Sequence, residues 1–237
     1  MPFSGRGPRP CLSDFLERCV MSYRRNIFIA ALLVWYASFS IAMAVAPADR
    51  EFWMAASILP VLLVAGLVVS YRIFPLSSIS YFLITLFLTL HAIGVHYTYA
   101  EVPFGSWLQQ ALALDRNHFD RIVHFCFGFL LIYPWEEWFR LFAHVRGWLR
   151  YYLPNITILG LSGLWEIVEF WFAQLMNPDL GLVFLGSQGD MWDAQKDMSA
   201  ALYGSFLCTV LIVLIQRPWV VPDPRLPLAD RSLEHPL

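Results

Sequence analysis

Six stretches of this 237-residue chain are long and apolar enough to cross a bilayer, and nothing else in the sequence constrains the fold as strongly. They cover residues 27–46, 52–71, 79–97, 119–135, 154–176 and 198–216. A hydrocarbon core about 30 Å thick takes roughly 20 helical residues to span. Barrel strands would instead alternate over segments of about ten residues, and these stretches do not. Residues are 58% hydrophobic and 14% charged, against about 25% charged in a soluble domain, so lipid replaces water as the main solvent. The chain reads as all-α: a polytopic membrane helical bundle of about six transmembrane helices.

Orientation follows from the arginines. If the amino terminus is cytoplasmic, 12 of the 16 basic residues lie inside, among them Arg24, Arg25, Arg72, Arg140, Arg146 and Arg150. Only Arg50, Arg116, Arg121 and Lys196 lie outside. The positive-inside rule then predicts both termini in the cytoplasm. The organisation expected is a cytoplasmic N-terminal segment over 1–25, a six-helix transmembrane domain over 26–217 and a disordered, proline-rich cytoplasmic tail over 218–237. The first apolar run is longer than a signal-peptide core, so it is expected to stay as a span. Between spans four and five, apolar and charged residues of "WEEWFRLFAHVRGWLRYY" separate at helical spacing. That pattern predicts an amphipathic connector lying on the membrane surface.

The net charge of −2 provides no basic field, which excludes a nucleic-acid partner. The four cysteines are scattered without CxxC spacing, and Cys126 and Cys208 fall inside apolar runs. They are expected as buried thiols rather than as a disulfide framework or a zinc site.

The costly residues gather on the side opposite the arginines. The third span ends with His91 and His96, and the following loop carries Tyr99, Glu101, Asp115, Arg116, Asn117 and His118. Asp120, Arg121 and His124 open the fourth span, and Asp120 and His124, four apart, share a helical face. In the fifth, Glu166 and Glu169 lie about 18 and 22 Å from the inner end. Asp190, Asp193 and Asp197 lead into the sixth at helical spacing, after Gly186, Gln188 and Gly189. From Glu101 to Asp197 this side carries nine acids, Asp179 included, against Arg116, Arg121 and Lys196. A carboxylate within hydrocarbon costs roughly 2.5–3.5 kcal/mol on insertion scales and is normally paired or used.

Each element alone has an ordinary explanation. The arginines can tie helices together through the acids, His91 can be a hydrogen-bonded core histidine, and the aspartates can answer a helix dipole. Helix packing does not require so many carboxylates at one depth, and a functional site explains the clustering better.

Four motifs in order, "HAIGVHYTYAEVPFG", "RNHFDRIVHFCFGFLL", "WEIVEF" and "LGSQGDMWDAQKDM", resemble the YjdF family of bacterial inner-membrane proteins over residues 30–215. The resemblance implies a fold and a location, the bacterial inner membrane with several passes, and assigns no activity. A more distant similarity is to VanZ-type proteins. Asp120, Arg121, His124 and Phe125 match the start of a helix in that family, Glu166 a later glutamate helix, and Asp190, Asp193 and Asp197 an aspartate-rich stretch.

The first functional reading is a metal-assisted hydrolase or transferase acting on a lipid, or on a lipid-linked or small-molecule ligand, at the outer face. Asp120, His124, Glu166 and Glu169 are the candidate catalytic groups. His124, Glu166, Glu169, Asp190, Asp193 and Asp197 are candidate ligands of a divalent metal ion, and mixed oxygen and imidazole donors suit Mn²⁺, Fe²⁺ or Zn²⁺. Arg116, Asn117, Arg121, Tyr99 and Gln188 are candidates for holding substrate. The second reading is a proton- or cation-coupled transporter or binding protein with Glu166 and Glu169 as relay carboxylates. The apolar inner halves of spans four and five disfavour it. A b-type haem on His91, His96 or His124 is disfavoured by the surrounding charge.

Overall fold

The computed structural model describes residues 12–175 and 178–216, excepting the side chains of 12–19, 178–180, 184 and 216. The expected tail, the first eleven residues, Arg18 and the Asp179 carboxylate lie outside that description. Among the described residues the secondary structure is helical, without strands. The order is α1 (Leu12–Met43), α2 (Arg50–Ala56), α3 (Ile58–Ser70), α4 (Ser78–His96), α5 (Pro103–Ala111), α6 (Phe119–Leu141), α7 (Leu149–Leu175), α8 (Pro178–Leu185) and α9 (Asp193–Gln216).

Five segments are long and apolar enough to cross a membrane: Val20–Met43, Arg50–Ser70, Ser78–His96, Leu149–Leu175 and Asp193–Ile215. They correspond to five of the six expected spans. The other, α6, has 23 residues and is long enough, but Asp120, Arg121, Glu136, Glu137 and Arg140 make it less apolar than its neighbours. The second span is broken at Ser57 into α2 and α3. Pro60 accounts for the break, because it has no N–H to give the Ala56 carbonyl and its ring crowds that oxygen.

The burial pattern is the reverse of a water-soluble protein's. Val34, Trp35, Val69, Phe170, Trp171 and Val210 point outward, while Asn117, Asp120, His124, Glu136, Glu137, Asp197 and Ser205 are buried. In lipid this arrangement is favourable, since outward apolar groups meet hydrocarbon and polar groups must satisfy one another inside.

α6 is the central helix, packed against α4, α7 and α9. α6 and α9 run parallel and approach most closely at two glycines. A Cβ on Gly128 would lie 1.8 Å from the Ala201 carbonyl oxygen, and one on Gly204 would lie 2.1 Å from that of Phe125. Small residues permit such approach between membrane helices.

The amphipathic surface connector expected over residues 135–152 is not formed. Residues 135–141 continue α6 into the protein, the chain turns at His144 and Gly147 with positive φ, and α7 begins at Leu149. Glu136 and Glu137 are 2% and 5% exposed. Glu137 accepts hydrogen bonds from the Ser77 N–H at 3.0 and 3.1 Å, the Ser77 hydroxyl at 2.9 Å and the Ser80 hydroxyl, and so anchors the start of α4. Glu136 pairs with Arg150 at the start of α7 and with Arg140 at 3.3 Å. The two glutamates inferred to meet water meet protein donors instead.

If the glycine contacts set the spacing of α6 and α9, Gly128→Ala and Gly204→Ala will each cost at least the roughly 1–3 kcal/mol of ordinary overpacking, because a backbone oxygen opposes the new methyl. Gly66→Ala, where a Cβ meets nothing within 4 Å, serves as the control. Thermal unfolding of the purified variants in detergent measures the difference, and equal melting temperatures for all three would contradict the packing.

Candidate functional site

The register set by the glycine contact determines what meets above it. One turn towards the N-termini from Gly128 and Ala201 stand His124 on α6 and Asp197 on α9. Two turns away stand Asp120 and Asp193. All four are buried, from 8% exposed for Asp120 to 2% for Asp197. α7 brings Ser162, Glu166 and Glu169 to the same depth.

Two kinds of contact divide the cluster. In the first, arginines satisfy aspartates. Arg121 Nη2 donates to Asp190 Oδ2 at 3.0 Å and to Asp193 Oδ1, and its Nε is 2.8 Å from Asp197 Oδ1, an ion pair outside hydrogen-bond geometry. Arg116 Nη1 donates to Asp193 Oδ1 and to the Ser187 carbonyl at 2.8 Å, and Nη2 to the Gly186 carbonyl at 3.1 Å. Lys196 Nζ reaches Asp190 Oδ2 at 2.7 Å. Outside the spans, that ammonium and the Trp192 N–H hold the Asp190 carboxyl well below the usual carboxylate range. His118, just before α6, is shifted down by burial and then by Arg116 and Arg121.

In the second, acids meet an imidazole without an arginine between them. His124 Nε2 is 3.7 Å from Asp120 Oδ1 and 3.6 Å from Glu166 Oε1. Both are too long for hydrogen bonds. His124 Nδ1 faces the Ser162 hydroxyl at 3.4 Å. Single ligand atoms of Asp120, His124 and Asp197 all lie within 4.8 Å of one another. Glu166 Oε1 is buried and has no hydrogen-bond partner among the described residues. Glu169 accepts from Trp165 Nε1 at 2.6 Å.

Of the residues singled out in the sequence, Asp120, His124, Glu166 and Asp197 converge most tightly, with Glu169 beside them. Asp190 and Asp193 are within the cluster but are engaged by arginine and lysine. Arg116 and Arg121 spend their terminal nitrogens on those acids and on backbone. Asn117 and Gln188 form a reciprocal pair: Asn117 N–H donates to Gln188 Oε1 at 3.1 Å, and Gln188 Nε2 to the Asn117 carbonyl at 3.0 Å. The Asn117 side chain caps α6 at the Phe119 N–H and ties back to the Val102 carbonyl.

Tyr99 lies outside the cluster. Positive φ at Thr98 and Tyr99 folds its ring over Gly94, where a Cβ would be 2.3 Å away, and its hydroxyl meets His91 Nδ1 at 2.6 Å. His91 packs edge-on against Trp165. His96 Nδ1 bonds the Met43 carbonyl at 2.8 Å, so it faces α1 rather than the acids. Cys126 and Cys208 are half-buried free thiols. Sequence reasoning missed Ser162 and a polar group lower in the bundle, where Asn155 bonds Ser205 at 2.7 Å and Thr209 at 2.9 Å. No signal marks such hydroxyls, since membrane helices use serine and threonine freely.

The family described as "Predicted membrane protein (DUF2238)" matches residues 28–218. The chain is also similar to the inner membrane protein YjdF of Escherichia coli (strain K12), 35% identical over 167 residues, covering 70% of this chain and 78% of that protein. No solved structure matches the chain. The region matched by the family contains every acid of the cluster and all the described spans except the start of the first, and the chain belongs to this DUF2238 family as a multi-pass inner-membrane protein.

Proposed function

We propose that the cluster is a divalent-metal site serving a hydrolase or transferase that acts on a lipid or lipid-linked substrate at the outer face of the inner membrane. The outer placement follows from the positive-inside rule, since Arg24, Arg25, Arg72, Arg140, Arg146 and Arg150 lie towards the opposite end.

One observation carries the reading. Two ligands bound 2.0–2.2 Å from a tetrahedral ion stand about 3.3–3.6 Å apart. His124 Nε2 has carboxylate oxygens at 3.6 and 3.7 Å, from Glu166 and Asp120, with no proton bridging either gap at hydrogen-bond distance. Asp197 supplies a third carboxylate within the same small volume. The support around it has the form that metal sites use. His124 presents Nε2 while Nδ1 is directed to Ser162, and Arg121 steadies Asp197. Carboxylates with an imidazole suit Zn²⁺, Mn²⁺ or Fe²⁺.

Asp120, His124 and Asp197 would hold a divalent ion there, which would supply Lewis acidity and a more acidic water near neutral pH. The residues do the rest. Asp120, His124 and Asp197 are the ligands of this reading. Glu166, its Oε1 without a donor, accepts a proton or completes the ligand set. Glu169, fixed by Trp165, adds negative charge that favours the cation. Arg116 and Arg121 hold the aspartates in place rather than gripping substrate.

The second reading, proton or cation movement, is favoured by the buried Ser162 and the Asn155, Ser205 and Thr209 group below the acids. Asn155 bonds both Ser205 and Thr209, which makes this group more a helix tie than a conduit.

Elemental analysis of the purified parent should find stoichiometric divalent metal, lost in His124→Ala and Asp120→Asn. A parent without metal above background removes the mechanism. Ser162→Ala, which takes away only the partner of Nδ1, is expected to weaken metal affinity about 10–100-fold, readable by competition with a chromogenic chelator. Cation or proton flux in liposomes that disappears in Glu166→Ala would instead favour transport.

A further inference from the structure

The cluster is closed on the side facing water. The loop from Gly186 to Asp190 lies over it, pinned by Arg116 to the Gly186 and Ser187 carbonyls, by Arg121 and Lys196 to Asp190, and by the Asn117 and Gln188 pair. Gly186 itself comes close enough that a Cβ there would lie 3.6 Å from Asp120 Oδ2. Beneath this cover Asp120, His124 and Asp197 are each at most 8% exposed.

Sideways the arrangement differs. Along α7, bounded by Met198 of α9, lies an open surface hollow lined by Gly160, Gly163, Leu164, Ile167 and Phe170, with Glu166 among its walls. Leu164, Ile167 and Phe170 are 50%, 47% and 54% exposed and belong to a helix long and apolar enough to span the membrane, so this hollow faces hydrocarbon. Glu166 thus belongs both to the acid set, 3.6 Å from His124, and to the wall of an opening towards lipid. An isolated carboxylate has no reason to line a lipid-facing opening, where it is costly. The glycines keep the opening free: a Cβ at Gly160 meets nothing within 4 Å, and one at Gly163 meets only the Met198 sulfur, at 3.3 Å.

We infer that the acid cluster is reached sideways from the bilayer, between α7 and α9, and that its substrate is a membrane lipid whose chains lie against Ile167 and Phe170 while its polar head turns inward past Glu166. The inference rests on the cluster being a working site and adds its route of access and substrate class. Glu166 stands about 13 Å from the outer end of α7 by helical rise, below the depth at which a water-soluble substrate approaches. A lipid head needs only to sink from the interface while its chains stay in hydrocarbon. Met198, a flexible side chain, is the movable part of the opening.

The full chain, reconstituted in vesicles of phosphatidylethanolamine and phosphatidylglycerol and stripped of metal with a chelator, is treated with dicyclohexylcarbodiimide, which partitions into the bilayer, or with a cationic water-soluble carbodiimide. Mass spectrometry of the Glu166 peptide reads the adduct. The expected result is several-fold faster labelling by the hydrophobic reagent, loss of the adduct in Glu166→Gln, and several-fold slower labelling in Gly160→Trp, which plugs the opening. Ile167→Trp serves as a second plug if the first variant does not fold. In a second arm, a phosphatidylglycerol with a photoactivatable head is expected to crosslink within residues 120–124 or 193–198 of the parent and not of the plugged variant. Equal labelling from water, unchanged labelling in both plugged variants, or head crosslinks confined to helix ends would overturn the inference. Neither arm uses metal, so lateral labelling in a protein that binds none would sink the metal reading alone, and metal binding with labelling only from water would sink the lateral route alone.

Discussion

The contact between α6 and α9 determines where every other polar group can be. With no side chain at Gly128 or Gly204, the two helices approach backbone to backbone. Being parallel and in register, they bring His124 opposite Asp197 one turn on, and Asp120 near Asp193 after the next. A side chain at either contact would meet a backbone carbonyl oxygen and force the helices apart, stretching the contacts of buried carboxylates in a medium that has no water to replace them. The close approach and the polar cluster are therefore one feature, and each requires the other.

The two ends of α6 use buried glutamate and aspartate differently. At the arginine-rich end Glu137 receives its hydrogen bonds from Ser77 and Ser80, and Glu136 is held by Arg150 and Arg140. Those interactions join the start of α4 and the start of α7 to α6, and the glutamates act as clamps. At the other end six acids, Asp120, Glu166, Glu169, Asp190, Asp193 and Asp197, face Arg116, Arg121 and Lys196. The cations are concentrated on the aspartates nearest the covering loop. Among the described residues, Asp120, Glu166 and Glu169 form no ion pair with an arginine or lysine. A helix clamp would not leave its charge unbalanced in this way.

Much of this was legible in the sequence, for definite reasons. Apolar runs of bilayer length are unambiguous, and five of them became spanning helices, the first starting well before its expected limit, at Leu12 rather than residue 27. The spacing of Asp120 with His124 and of Asp193 with Asp197 fixed common helical faces, which tertiary structure then turned inward. Partner choice was not legible. Nothing in "WEEWF" distinguishes a helix lying on lipid from one whose acids are sought by a neighbour's N-terminus, because both show the same periodicity. The break at Ser57 depended on Pro60 acting on a carbonyl that composition alone passes over. The arginines had two open roles, holding helices or holding a ligand, and spacing does not show their partners: Arg116 directs its terminal nitrogens to Asp193 and the Gly186 and Ser187 carbonyls, and among the described residues its Nε has no hydrogen bond.

The electrostatic logic of the unpaired end follows from its medium. In water three surplus carboxylates are unremarkable, since solvent and salt screen them. Inside a bilayer their repulsion is strong, and Coulomb attraction to a cation grows by the same low dielectric. Such a site must therefore take up protons or a cation, and whichever it takes is bound to an extent that depends on keeping water away. The ion-paired loop from Gly186 to Asp190 serves that end on one side, and hydrocarbon serves it on the other. A soluble substrate would have to break the loop's ion pairs to reach His124, letting in the water that weakens the site. A lipid head sliding between α7 and α9 meets no ion pair on the way, and its own chains seal the opening behind it. On this reading the surplus charge and the sideways opening are parts of the same solution: the charge makes a cation worth holding, and the route preserves the low dielectric that makes the charge effective.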